Sequence, residues 1–351
     1  MKNIIFLILI SYVSTIYSQK TLKIENGCTF ESKLENNEVF IIPCQDDKIL
    51  KIVNEILGTL SLEKNFKVYV GDINNAVATT IDDERLIILD NSFLQKMETQ
   101  SANKYASYFI IAHEIGHHLN GHLSNSSYDK VFWSELEADN FAGSVLFKLG
   151  IAANVINDVV TLIAPKYVNP LKDTHPEWQA RMKAGINGYC KAYFMDTKLK
   201  TGKLPKATAA VIKGEEIKLE KLLNSNIYKR DAWERNVNYT IKNKKIIRSY
   251  ETTYYDDKGG ENYTEHDKFI KQIDTLEIKN IFNVYLTWHD PGRIGFEMSN
   301  DYTYYWALQG LEAQKQFNQY DYYDNAITMY DDYLLLRNIS NSIAKLQKYY
   351  E

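Results

Sequence analysis

Histidine is scarce in this chain, cysteine scarcer, and neither sign of charge dominates: 351 residues hold seven histidines, three cysteines, and 41 basic against 45 acidic side chains. The formal net charge of −4 is spread rather than blocked, which excludes the basic footprint of a nucleic-acid partner. After the opening residues no apolar run approaches the ~20 residues a bilayer demands, so no stable membrane span is expected. Three cysteines cannot all pair. Cys28 and Cys44 could close a short loop in an oxidising compartment, leaving Cys190 a buried thiol; the alternative is three small buried hydrophobes.

The opening "MKNIIFLILISYVSTIYSQK" sets Lys2 ahead of an apolar run from Ile4 to Ile10, then small and polar residues around Ser18. That is the layout of a secretory signal peptide cleaved after Ser18, with an uncleaved anchor as the alternative. An exported protein, periplasmic or secreted, is the expectation. The rest has the composition of a folded chain with room for two domains.

"DDKILKIVNEILGTL" (46–60) carries apolar residues at helical spacing, and "FKVYVG" (66–71) alternates as a strand does. "NNAVATT" and "ERLIILD" read as two short strands joined by "IDD". From Ser101 to Leu123 the apolar positions Tyr108, Ile111, Ala112, Ile115 and Leu119 predict an amphipathic helix, and further helices follow at 133–149 and 151–163. Another starts in "KDTHPEWQARM", where Thr174 with Glu177 makes a capping box and Pro176 suits a first turn. "TKLKTGKLPKATAA" (197–210) reads as a linker. The expected division is a signal peptide (1–18), an α+β domain (19–200) and a tyrosine-rich α+β region (201–351) of alternating stretches, turns at "DDKGG" and "HDPGR", and helical runs after Tyr304. Its 17 tyrosines are read as a packed, β-rich core.

Four of the seven histidines fall in "IIAHEIGHHLNGHL" (110–123). His113 and His117, four apart, put two imidazoles on one helical face a turn apart, the spacing that grips one zinc ion. Glu114 lies beside them, near enough to take a proton from a water the metal activates without filling a ligand position. The H-E-x-x-H pattern alone arises by chance in roughly one chain in a hundred of this length, so its surroundings must decide. A third ligand is expected nearby. "WSELEADNFAG" offers Glu135 and Asp139 on one face, with Glu137 about 200° around the helix. Glu135 is the expected ligand, and Asp139 the acceptor for the distal nitrogen of a ligating histidine. Ala138, Ala142 and Gly143 would let the two helices approach closely.

His118 and His122 project onto other faces of the same helix and are read as bystanders to the metal, structural residues that hydrogen-bond to neighbouring loops or face water. The longer pattern H-E-x-x-H-x-x-G-x-x-H fails, with Asn120 and Leu123 at its last two positions. His175, before Pro176 at a helix start, could donate to an oxyanion or cover the metal. Arg181 would brace a carboxylate such as Asp139 or Glu135. His266 and His289 have no ligand spacing around them and read as surface residues.

With "HEIGH", "ELEAD" and "HPEWQAR" in this order, residues 40–195 resemble the M48 family of zinc metallopeptidases. "NNAVATTIDDERLIILDNSFL" is similar to that family's strand and hairpin ahead of the active-site helix. The resemblance implies a mainly helical, gluzincin-like α+β fold with a small sheet. It implies one catalytic zinc held by His113, His117 and Glu135, with Glu114 as general base and acid. It also implies that a polypeptide substrate adds as a strand at a sheet edge formed by Asn75, Ala76, Val77 and Ala78. The expected activity is that of an exported zinc endopeptidase acting on polypeptides, misfolded ones among them. The competing expectation is a catalytically weak or inactive binding module that holds exported proteins through its C-terminal region.

Overall fold

The computed structural model describes residues 20–23, 27–29, 38–124, 128–164, 175–200, 202, 206–225, 234–254, 268–286, 294–298 and 326–351. The expected signal peptide, Thr174, the turns at 256–260 and 289–293, His266, His289 and residues 304–325 lie outside them.

A six-stranded sheet forms the floor of the first half. Its strands are β1 (Lys20–Lys23), β2 (Gly27–Thr29), β3 (Glu38–Pro43), β4 (Lys67–Gly71), β5 (Ala76–Ile81) and β6 (Glu84–Leu89), in the spatial order β1-β3-β4-β6-β5-β2. Only β4 and β6 run parallel. Asp82 and Asp83 join β5 to β6 with φ of 51° and 63°, the left-handed pair whose twist suits a two-residue hairpin. β6 is apolar on both faces. Leu86 and Ile88 pack against Leu22, Val39, Ile41 and Val77, while Ile87 and Leu89 join the helical core.

That strand order separates Cys28 on β2 from Cys44 beyond β3 by four strand spacings, about 19 Å at ~4.8 Å each. A disulfide tolerates at most about 7 Å between Cα atoms. The Cys28–Cys44 loop is therefore not formed: Cys44 is a half-buried free thiol, and Cys190 is a buried one.

The helices are α1 (Asp47–Thr59), α2 (Asn91–Gln100), α3 (Ala106–Leu119), α4 (Tyr128–Lys148), α5 (Asn154–Ile163) and α6 (Trp178–Lys200). Asp46 caps α1 by accepting from the N–H groups of Lys48 and Ile49, and Ile49, Ile52, Val53, Ile56 and Leu57 form its buried stripe. Asp90 caps α2 in the same way. Its second oxygen accepts from the N–H groups of Ile73 and Asn74, at 3.1 and 2.8 Å, and so ties the loop before β5 to the start of α2.

α3 is shorter than the spacing predicts and is buried on every side, because α1, α2, α4, α5 and β5 all pack on it. The polar side of the expected amphipathic helix is enclosed. The start of α6 also differs: its first residue is Trp178, and the Arg181 N–H donates to the Glu177 carbonyl at 3.1 Å. Glu177 thus stands at the cap itself, not three residues inside a capping box.

In the second half α7 (Ala209–Asn224), capped by Thr208, precedes an antiparallel meander of β7 (Glu234–Lys242), β8 (Lys245–Tyr254) and β9 (Lys268–Glu277). A hairpin of β10 (Ile281–Leu286) and β11 (Ile294–Met298) and the helix α8 (Ala326–Tyr350) complete the mixed α+β architecture. One apolar core runs from Ile52 of α1 through Cys190 and Phe194 of α6 to Val284, Phe296, Leu336 and Ile343. α6 is the shared wall, with α4 and α5 against it on one side and α8 and β10 on the other. Among the described residues no helix is long and apolar enough to cross a membrane.

α4 and α6 meet at glycines. A Cβ on Gly143 would lie 1.9 Å from the Gly185 carbonyl oxygen, and one on Gly188 1.7 Å from that of Asn140. The small residues expected between the histidine and acidic helices are therefore divided. Gly143 serves the contact with α6, whereas Ala138 faces α3, its Cα 3.3 Å from where a Cβ on Gly116 would sit.

Gly188→Ala should lower stability by about 1–3 kcal/mol through overpacking, despite its gain in helix propensity. Gly214→Ala, inside α7 with nothing within 4 Å of the added Cβ, should raise stability by up to ~1 kcal/mol. Thermal unfolding of the two variants checks the pair, and a Gly188 variant as stable as the parent contradicts the close crossing.

Candidate metal centre

His113, His117 and Glu135 converge in the interior, all three fully buried. The Nε2 atoms of His113 and His117 are 2.9 Å apart, and each lies 3.4 Å from an oxygen of Glu135. Ligand atoms at the corners of a tetrahedron with bonds of 2.0–2.1 Å are about 3.3 Å apart, so the spacing matches one small cation. Neither Glu135 oxygen has a hydrogen-bond partner at good geometry. A buried carboxylate left so is costly unless a cation faces it. This buried group can hold a metal ion.

Asp139 explains why His113 presents Nε2. Its Oδ1 is 2.9 Å from His113 Nδ1, and an ionised carboxylate only accepts, so Nδ1 carries a proton and Nε2 is the nitrogen left to face a metal. Arg181, buried on α6, donates to the same carboxylate through Nε at 2.8 Å and through its terminal nitrogen at 3.0 Å. Burial alone would raise the Asp139 pKa, yet the Arg181 and His113 charges hold it below the usual carboxylate value. Arg181 also comes within 3.8 Å of Glu135, and His175 Nε2 within 3.6 Å of the same oxygen. Burial works against Glu135 too, but the charges of His175 and His117 keep it well below its ordinary value.

Glu114 is also fully buried, and neither of its oxygens makes a well-formed hydrogen bond, although the Ala78 N–H of β5 is close enough to favour its charged form. Burial, with Glu135 adding repulsion, pushes its pKa up to about 8. Burial opposes a charge on His113, but Asp139 and Glu135 outweigh it and push that ring up to about 9. His117, without such a carboxylate at its back, is pushed down by burial to about 4. In the metal-free site one proton therefore sits between the two facing nitrogens, on His113.

The two histidines read as bystanders are both engaged. His118 Nε2–H donates to the Leu86 carbonyl at 2.9 Å, and its ring stacks on Phe66 with centroids 5.6 Å apart, tying α3 to β6. His122 lies 3.0 Å from His117, Nδ1 to Nδ1, and its Nε2 is 2.9 Å from Glu137. Projecting His122 onto the helix misplaced it, because α3 ends at Leu119 and Gly121, at φ +72°, turns the chain back into a short 3-10 helix at His122–Ser124. The "NG" pair before His122 was the available signal, being a common helix stop.

Within the stretch Asn75–Ala78, Val77 and Ala78 are not at a free edge. β5 pairs with β6 on one side and with β2 on the other, with Gly27 opposite Thr79, Cys28 opposite Ala78 and Thr29 opposite Val77. Asn75, just before the strand, is buried; its side-chain oxygen accepts from the Ala76 N–H and its carbonyl from the Asp90 N–H. No protein-family profile, curated protein or solved structure matches the chain.

Metal binding should release protons, since a ligating imidazole must be unprotonated at Nε2. With His113 at about 9 and Glu114 at about 8, both hold protons at neutral pH in the metal-free protein. Binding at pH 7 should therefore release between about one and two protons per ion, and affinity should climb with pH until His113 has titrated. Calorimetry in buffers of different ionisation enthalpy reads the number directly; a value of zero contradicts the site as described.

Proposed function

We propose that this chain is an exported zinc-dependent endopeptidase with a gluzincin-like site, as its resemblance to the M48 metallopeptidases suggests. The observation that carries the reading is the joint burial of the His113, His117 and Glu135 set with Glu114, a carboxylate of raised pKa and no good partner. Two imidazoles and one carboxylate are a donor set suited to a catalytic zinc, which leaves one position open. When bound, zinc supplies Lewis acidity, polarising a carbonyl and making water easier to deprotonate.

Glu114 accepts the proton of the attacking water while the water oxygen bonds to the scissile carbonyl carbon. It then returns that proton to the amide nitrogen as the C–N bond breaks, leaving a carboxylate and an amine. Asp139 and Arg181 hold His113 in register across three helices. His175, with Nε2 3.6 Å from Glu135, is the candidate donor to a developing oxyanion. Export rests on the opening 18 residues.

Glu114→Gln should keep metal stoichiometry and lose peptide cleavage by at least about 100-fold, as expected on removing a general base. Glu135→Gln should lose the metal. Zinc content measured beside cleavage of an unfolded protein separates these outcomes. Stoichiometric zinc in the parent with no cleavage of any peptide favours the binding module instead.

An extended substrate adding to β5 must first displace β2. Neighbouring residues of an antiparallel strand alternate between hydrogen-bonded and non-bonded positions, so proline at both Cys28 and Thr29 is expected to remove a ladder N–H in either register. The double variant should cleave faster than the parent with the same zinc content. Equal or lower rates would mean that the substrate does not use this edge.

A further inference from the structure

We infer that His122, oriented by Glu137, is a positioning residue that selects the metal-binding tautomer of His117. The inference rests on the reading of His113, His117 and Glu135 as a metal centre. It concerns two side chains that the ligand pattern does not call for.

With one proton on each ring, donor and acceptor counting along the contact leaves one solution. Glu137 Oε2 is 2.9 Å from His122 Nε2, and a carboxylate accepts without donating, so the His122 proton is on Nε2. His122 Nδ1 then offers a lone pair. His117 Nδ1, 3.0 Å away, must be the donor, which leaves His117 Nε2 unprotonated and facing Glu135 and His113. The two rings meet edge-on, at 74° with centroids 5.1 Å apart, an orientation that suits a hydrogen bond in the plane of one ring.

The two metal-facing histidines are thus oriented by different devices. Behind His113 stands an anion, Asp139, itself held by buried Arg181. Behind His117 stands a second imidazole, 7% exposed, whose outer nitrogen reaches a glutamate with 63% of its side chain exposed. The second chain starts at the surface and ends at the metal position. Its polarity can therefore be altered from outside without touching a ligand.

Three variants test this in the full-length protein, with zinc affinity as the readout and the thermal unfolding of the metal-free protein as the control for folding. His122→Phe keeps ring volume but removes the acceptor, and should weaken zinc binding by about 10- to 100-fold. His122→Asn puts a carbonyl oxygen close to the place of Nδ1, and should recover affinity to within a few fold of the parent. Glu137→Lys replaces an acceptor by a donor at an exposed position, turning the His122 tautomer over and His117 with it, and should weaken binding as His122→Phe does. Parent-like affinity in both His122→Phe and Glu137→Lys overturns the inference, as does failure of His122→Asn to recover any of the loss.

Imidazole nitrogen spectra of the metal-free, 15N-histidine-labelled protein give a readout independent of the metal. His117 should carry its proton on Nδ1 in the parent and on Nε2 in Glu137→Lys. A parent His117 protonated on Nε2 overturns the inference whether or not the protein binds zinc. Absence of zinc binding with the expected tautomer overturns the functional reading alone.

Discussion

Everything around the centre hangs on one shared carboxylate. Asp139 leaves α4, accepts from His113 of α3 on one side and from Arg181 of α6 on the other, and all three side chains are fully buried. Removing one partner of such a buried pair strands the other without water, at about 3–5 kcal/mol. The arrangement therefore locks three helices in one relative position, and the ligand geometry follows from that lock. A shift of α4 alone would disturb both hydrogen bonds and the ligand spacing together.

Backbone packing makes the lock possible. Gly143 and Gly188 let α4 and α6 approach until one backbone lies almost where a Cβ would be, and Gly116 does the same more gently between α3 and α4. Close approach is what allows the Arg181 guanidinium, a large side chain with no solvent exposure, to reach Asp139 in a two-point contact. On the opposite side the sheet closes the site, with His118 hydrogen-bonded to Leu86 of β6 and the Ala78 N–H beside Glu114. Negative charge gathers at the ligand set. Glu135 and Asp139 are held ionised opposite Arg181, and the same two carboxylates raise the pKa of His113.

Much of the site could be read along the chain wherever a single helix carried the information. His113 with His117, and Glu135 with Asp139, are pairs four residues apart, and one helical turn brings each pair to one face whatever the surroundings. The hairpin at Asp82 and Asp83 and the strands either side of it were equally plain, since turn chemistry and alternation act over a few residues. The readings that failed needed knowledge of where a helix stops or what lies beside a strand. His122 was assigned to a face of a helix that ends before it. Asn75–Ala78 reads as an edge because nothing in those four residues says that β2 returns to pair beside Val77 and Ala78.

By itself, the sequence determined the inventory: which imidazoles and carboxylates are available, which of them share a helical face, and that the chain mixes helices with a small sheet. Those properties follow from backbone periodicity and are local. Only the tertiary structure decided that α3 is enclosed, that Cys28 and Cys44 lie at different places in the sheet, that Gly143 serves α6, and that His117 is backed by His122 and Glu137. Each depends on segments far apart in sequence being brought together, or on a chain reversal at one residue in the left-handed region. Hydrogen-bond direction and burial, which give each histidine its proton, exist only once those segments have met.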